Sequence, residues 1–272
     1  MLSLDVAIST YKPEGIKRVE KMLESLPEQP NVNYVVSWQE HANADIPVSL
    51  LKRSDVKILR YDIKGLSNNR NNAIDHCTGE ILLIADDDLN YHKDFAASVI
   101  KPFAINPSLD MALFRIEFKN KKSYPRQECE IKLPLPKNYF ISSVEMALRR
   151  ESFRDLRFYP ELGLGAADMH CGEEELFLIS AIKRGLNLRF IDRIIAGHPE
   201  ETTGDKVSKE ILRGQGFVIG ALYPFTWWMR VPLKAIRNFK SKKSSLAMSL
   251  RYLAEGAIRY KTSRKSIPKK YH

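Results

Sequence analysis

One stretch, Glu80-Ile81-Leu82-Leu83-Ile84-Ala85-Asp86-Asp87-Asp88, constrains the fold of this chain more than any other. Five uncharged apolar residues run straight into three carboxylates. A run of this length, opened by Thr78-Gly79, predicts a strand buried on both faces of a parallel sheet. The carboxylates then sit at the strand's carboxyl end, where open α/β sheets bind ligands. Three adjacent negative charges repel one another and lose solvation if partly buried. A divalent cation relieves both costs, and hard oxygen ligands suit Mg²⁺ or Mn²⁺. The plainer alternative is a solvated acidic turn that caps the following helix.

The surrounding sequence alternates in the way a sheet of βαβ units requires. Leu4–Ser9, Val32–Trp38 and Val56–Arg60 read as strands. Between the first two, Pro13 and Glu14 open a helix with Ile16, Val19, Met22, Leu23 and Leu26 at helical spacing. A loop from Gly65 feeds a helix with Ser67 as its candidate N-cap. Beyond the acidic strand, residues 94–106 predict a helix and Met111–Phe118 a strand. Regularity lapses from Lys119 to Pro136, where the run Lys119-Asn120-Lys121-Lys122 and three prolines predict a surface excursion. Strands are then predicted at Tyr139–Val144 and Leu188–Ile191, with a helix from Gly172 to Lys183 between them and a loop containing His198 after the second. The resulting fold class is α/β, a mostly parallel sheet flanked by helices.

Composition narrows the setting. Three cysteines, Cys77, Cys129 and Cys171, match no disulfide or zinc framework, so reduced thiols in a cytosolic compartment are expected. Residues 1–5 have no basic, apolar signal-peptide pattern. The longest uncharged stretch, Gly214–Met229, has 16 residues and includes Pro224, too short and interrupted for a membrane span. The net charge of +10 is concentrated at one end. Residues 230–272 hold 13 Lys and Arg against one acid, Glu255, whereas residues 1–229 hold 30 basic and 32 acidic side chains.

Four segments fall in a telling order: Ser9-Thr10-Tyr11-Lys12-Pro13 after the first strand, Ser67-Asn68-Asn69-Arg70-Asn71-Asn72-Ala73-Ile74, the Asp86-Asp87-Asp88 triplet, and Gly172-Glu173-Glu174-Glu175-Leu176-Phe177-Leu178. Together they resemble the inverting glycosyltransferases of family 2, with a GT-A fold, over roughly residues 4–204. The resemblance implies a nucleotide-sugar donor, UDP by default, and a hydroxyl acceptor. Asp86-x-Asp88 looks like the family's DXD motif, with Asp88 holding Mn²⁺ or Mg²⁺ at the diphosphate. Asp86 would touch the ribose or share the metal; the register leaves Asp86, Asp87 and Asp88 open for these roles. Arg70 and Asn71 match the family's Arg-Asn pair, where a guanidinium fork serves base or phosphates. Thr10 and Tyr11 match the first nucleotide loop, although Tyr11 as simple loop packing and Arg70 as an exposed helix residue are the bland alternatives.

Two departures from the family pattern stand out. Where many members have an acidic residue to read the base, this chain has Ser37-Trp38-Gln39, and Gln39 offers an amide instead. Glu173-Glu174 stands where the family has a Glu-Asp pair, which makes Glu174, then Glu173, the candidate base for the acceptor proton. Acidic residues in a helix's first turn are also favoured by the helix dipole alone. His198 is placed as a possible third metal ligand beside the diphosphate, or as a structural loop histidine.

The C-terminal segment is set apart as residues 214–272, after a transferase domain of residues 1–213. Phe225, Trp227, Trp228, Met229, Val231, Leu233, Ile236 and Phe239 interleave with Arg230, Lys234, Arg237 and Lys240. Leu246, Leu250, Leu253 and Ala257 follow at helical spacing among further basic residues. This pattern predicts a basic amphipathic helical tail resting on an anionic membrane. Packing on the domain is the first alternative, and nucleic acid binding is less favoured. The expected whole is therefore a cytoplasmic enzyme, peripheral on the membrane, acting on a glycan or lipid-linked acceptor of surface polysaccharide or lipopolysaccharide synthesis. Its rivals are a nucleotidyltransferase, for which the first loop lacks the glycines of a phosphate cradle, and a non-enzymatic binding protein that acts through its tail.

Overall fold

The computed structural model describes residues 2–118, 124–136, 139, 141–198 and 207–272. The basic run at 119–122 and the segment after His198 lie outside them. By internal contacts the chain forms two units: Met1–Lys64, Asn68–Asp155 and Ile182–Glu201 make the first, and Gly65–Ser67, Leu156–Ala181 and Thr202–His272 the second.

The first unit is built on one sheet. Its strands are β1 (Leu4–Tyr11), β2 (Val32–Gln39), β3 (Val56–Tyr61), β4 (Ile81–Asp86), β5 (Asn90–Tyr91), β6 (Met111–Phe118), β7 (Cys129–Glu130), β8 (Met146–Arg149) and β9 (Leu188–His198). They lie in the order β3-β2-β1-β4-β8-β6-β9-β5, with β7 on β9. The chain steps outward from β1 through β2 to β3, then returns to lay β4 on the other side of β1, all in parallel. That reversal opens a crevice at the carboxyl ends of β1 and β4. The parallel expectation holds for this half and for β6 with β9, while β8, β5 and β7 pair antiparallel. As the uncharged run predicts, Ile81 to Ala85 are buried throughout.

Helices α1 (Lys12–Glu24), α2 (Val48–Leu51), α3 (Leu66–Asp75) and α4 (Phe95–Ile105) connect these strands. The apolar stripe of α1, Ile16, Val19, Met22 and Leu23, packs into the sheet core with Leu4, Val6, Ile8, Trp38 and Leu83. Asp5, 1% exposed on β1, ties the turn before β4 in place. Its carboxylate accepts from Asn33 Nδ2 at 3.0 Å and from the backbone N–H groups of Thr78 and Gly79 at 2.6 and 2.8 Å.

Three local expectations change. Ser67 lies inside α3 and donates its hydroxyl to the Leu162 carbonyl at 2.7 Å, so it does not cap the helix. Thr10 and Tyr11 belong to β1, and His198 to β9, so all three are strand-end residues and not loop residues. The strand predicted at Tyr139–Val144 is displaced to β8, after a 3₁₀ turn at Ser143–Glu145. The reason is Glu145, fully buried, which takes hydroxyl hydrogens from Tyr124 at 2.8 Å and Tyr139 at 3.1 Å. Buried apolar residues there surround a side-chain network and do not extend a ladder.

The second unit contains the first turns of α5 (Glu173–Lys183), then α6 (Lys209–Leu222), α7 (Trp227–Lys240) and α8 (Leu246–Ser263). Helix α6 runs through the boundary expected at 213/214. Tyr159, Leu162, Met169 and Leu176 share a core with Phe217, Ala221, Tyr260 and Ile267. A second cluster joins Leu212 of α6, Val231 and Ala235 of α7, and Leu253 and Ala257 of α8. Helices α6 and α8 cross with backbones in contact: a Cβ on Gly216 would meet the Leu253 carbonyl at 2.1 Å, and one on Gly256 the Arg213 carbonyl at 2.0 Å.

Candidate active site

The strand ends of the first unit gather most of the predicted residues. Register places Tyr11 opposite Gln39 and Ser9 opposite Asp86, so β1, β2 and β4 finish side by side. Tyr11 is 45% exposed, with the Lys12 ammonium 4.8 Å from its ring centre. Gln39 is buried and donates its amide N–H to the Ile63 carbonyl. Arg70 on α3 is 3% exposed, not a solvent-facing helix residue, and its guanidinium lies 3.5 Å from Asp86 Oδ1. Asn71, beside it, is half-buried. Asn69 donates to the Thr10 carbonyl at 2.8 Å, which fixes α3 against the end of β1.

The acidic triplet divides its work. Asp87 is 7% exposed and bound on one side by Arg18, whose Nε and Nη2 reach Oδ1 and Oδ2 at 2.8 and 3.0 Å. Thr10, 2% exposed, donates its hydroxyl to the same carboxylate. Gly15 makes room for this cluster, since a Cβ there would fall 2.1 Å from Thr10 Oγ1 and 2.9 Å from Asp87 Oδ2. Arg18 escaped the sequence reading. Its only signal is a cation one turn beyond Glu14 on a helix otherwise read for its apolar face.

Asp88 faces elsewhere. Strand β5 follows at once and pairs antiparallel with β9, Asn90 opposite Gly197, which draws the acidic turn against the end of β9. Asp88 Oδ1 thereby comes 3.5 Å from His198 Nε2. That oxygen is buried and has no hydrogen-bond donor among the described residues. Desolvation pushes the Asp88 carboxyl above its ordinary range, with Asp86 and Asp87 adding to the shift and His198 and Arg18 opposing it. The His198 ring stacks on Phe118 at 5.5 Å between centres.

Among the described residues, no three His, Cys, Asp or Glu side chains converge as an all-protein metal cage would. The donors present still fit a hard cation. A desolvated, donor-less carboxylate oxygen beside an imidazole suits Mg²⁺ or Mn²⁺, which commonly take one or two protein ligands and complete their shell with phosphates and water.

In the second unit, Glu173 is 7% exposed and Glu174 half-buried at the first turn of α5. Desolvation, then the charges of Glu174 and Glu173, push the Glu175 carboxyl up to about 8, while Lys234 on α7 pulls it back. That shift favours the neutral acid at Glu175 and so lessens the negative charge beside Glu174. A cavity of about 670 Å³ lies between α4 and β9, lined by residues such as Lys101, Ile105 and Arg189, and borders none of the predicted site residues.

Comparison with known proteins bears on this geometry. The model described as Glycosyl transferase family 2 matches residues 5–159, more than half of the chain. Residues 1–349 of S. aureus TarS align over 97% of this chain and 92% of that one, with 17% identity and a TM-score of 0.60. The same protein in complex with UDP-GlcNAc gives 16% identity and a TM-score of 0.61, and with UDP 15% and 0.56, at the same coverage. At these identities the likeness is one of fold. No curated protein sequence matches the chain significantly. The matched segment holds the reversed strand order, Arg70 and the acidic triplet, and on that match this chain belongs to glycosyl transferase family 2.

Proposed function

We propose that this protein is an inverting, metal-dependent transferase that moves a sugar from a UDP-sugar to a hydroxyl of a glycan or lipid-linked acceptor. The observation that carries the reading is Asp88, desolvated at the end of β4 with one oxygen lacking a donor beside His198. Asp88, with Asp86 and His198, would hold Mn²⁺ or Mg²⁺. When bound, such a cation supplies Lewis-acid stabilisation of the departing diphosphate. Arg70 orients Asp86, and Asn71 shares its end of the nucleotide site. Tyr11 offers an exposed aromatic face to the base and Gln39 its amide oxygen. Thr10 and Asp87, joined to each other and to Arg18, act by positioning.

Glu174 is the proposed base. Its carboxylate accepts the acceptor's hydroxyl proton as that oxygen attacks the anomeric carbon; the bond to the diphosphate breaks with its electron pair leaving on phosphate oxygen, and the configuration inverts. Greater exposure than Glu173 supports the choice. The acceptor class follows from the C-terminal segment: in this reading the enzyme works on the cytoplasmic face of a membrane, where precursors of surface polysaccharide are built. Among the described residues no helix is long and apolar enough to cross a membrane.

The test is calorimetric titration of UDP, GDP and dTDP, each with Mn²⁺ and again with EDTA. Binding of UDP with Mn²⁺ alone, lost in Asp88→Asn, is expected. Folded protein that binds no nucleotide would overturn the reading in favour of a tail-centred binding protein.

A further inference from the structure

We infer that one face of α7, the outward stripe bearing Trp228, Met229, Leu233, Ile236 and Phe239, is the surface on which this enzyme lies against an anionic lipid bilayer. The inference deepens the membrane-surface reading above and rests on it. Val231, Ala235 and Asn238 fasten α7 to the second unit, the first two in a core with α6 and α8 and the third by donating to Ser249 at 3.3 Å. The other side of the helix is apolar and faces solvent. Trp228 and Leu233 are each 61% exposed, Phe239 57% and Met229 50%. Large apolar side chains recurring on one exposed stripe mark an interaction surface, because leaving them in water forfeits their burial.

Charge identifies the occupant. Arg230, Arg237 and Lys240 border the stripe, and Lys242 and Lys243 follow it. Among the described residues none of these five has a carboxylate partner. Helix α8, with three basic residues and Glu255 in 18 positions, differs in degree: it exposes only Leu246 and Ile258 among its large apolar side chains, and two of its three cations are ion-paired. Leu253 and Ala257 are buried, Arg251 pairs with Glu255 at 3.0 Å, and Arg259 pairs with Glu161 and Asp168 at 2.7 and 3.1 Å. An apolar ridge edged by cations that have no carboxylate partner among the described residues matches the boundary between anionic headgroups and acyl chains. At 14 residues, about 21 Å, α7 is too short to span a hydrocarbon core and lies in the plane.

The experiment is sedimentation of the full chain with phosphatidylcholine vesicles, with and without about 30% phosphatidylglycerol. The wild type is expected to bind the anionic vesicles, with a blue shift in tryptophan emission, and to ignore the neutral ones. The triple substitution Trp228→Ser, Leu233→Ser, Phe239→Ser should weaken binding by at least about tenfold. Arg230→Glu, Arg237→Glu, Lys240→Glu should abolish it. Circular dichroism and the UDP titration, unchanged in both variants, separate loss of docking from loss of fold. Failure of that titration in the wild type, with vesicle binding intact, would indict the transferase reading alone. The inference is overturned if wild-type protein ignores anionic vesicles or if the apolar triple binds them as well as wild type. It is equally overturned by a dimer that the apolar triple dissolves, which would assign the stripe to a second copy.

Discussion

The acidic turn that follows β4 gives neighbouring aspartates different environments. Asp87 turns toward Arg18 and Thr10 and stabilises the junction of β1, α1 and β4. Asp88 turns toward His198, in a place where its charge is desolvated and opposed by two other carboxylates. Their substitutions should separate accordingly. Asp87→Ala leaves Arg18 and Thr10 without their acceptor and should cost about 2 kcal/mol in urea unfolding. Asp88→Asn relieves repulsion, so its stability should stay within about 0.5 kcal/mol of wild type while Mn²⁺-dependent UDP binding is lost. An Asp88→Asn protein less stable than Asp87→Ala would sink this division.

At the scale of elements, the same kinds of residue end in different places. Leu246, Leu250, Leu253 and Ala257 at helical spacing announce a helix, and the apolar run of α7 announces another; neither pattern says which neighbour each face will meet. What seats α8 is the crossing at Gly216 and Gly256, where hydrogen is the only side chain that fits between two backbones. Gly256→Ala should force the helices apart or distort them, at about 1–3 kcal/mol, seen as a lower Tm with an unchanged far-ultraviolet spectrum at 20 °C. The same substitution at Gly185, whose φ of +75° is strained for alanine but where a Cβ would meet nothing within 4 Å, separates backbone strain from helix collision.

For the whole molecule, the C-terminal helices are structural members of the second unit and not an appendage. A chain ending at Met229 would uncover Leu212 and Phe217, both fully buried against partners that include Leu253 and Tyr260. Such a truncation should aggregate or lose cooperative unfolding by size exclusion and thermal melting; a soluble, UDP-binding product would contradict the packing described. The α/β class, β1 through β4, β6, α1 and the acidic strand end were legible in the chain because uncharged apolar runs, helical spacing and turn residues are local signals. The four motif segments likewise gave the family. Tertiary structure decided what depends on distant partners: Arg18 on Asp87, His198 beside Asp88 through the pairing of β5 with β9, and Glu145 with two tyrosines in place of a strand. It also decided that α8 is packed and ion-paired while α7 keeps an apolar face in water. Burial and pairing are properties of neighbours separated by tens of residues, and no local pattern carries that information.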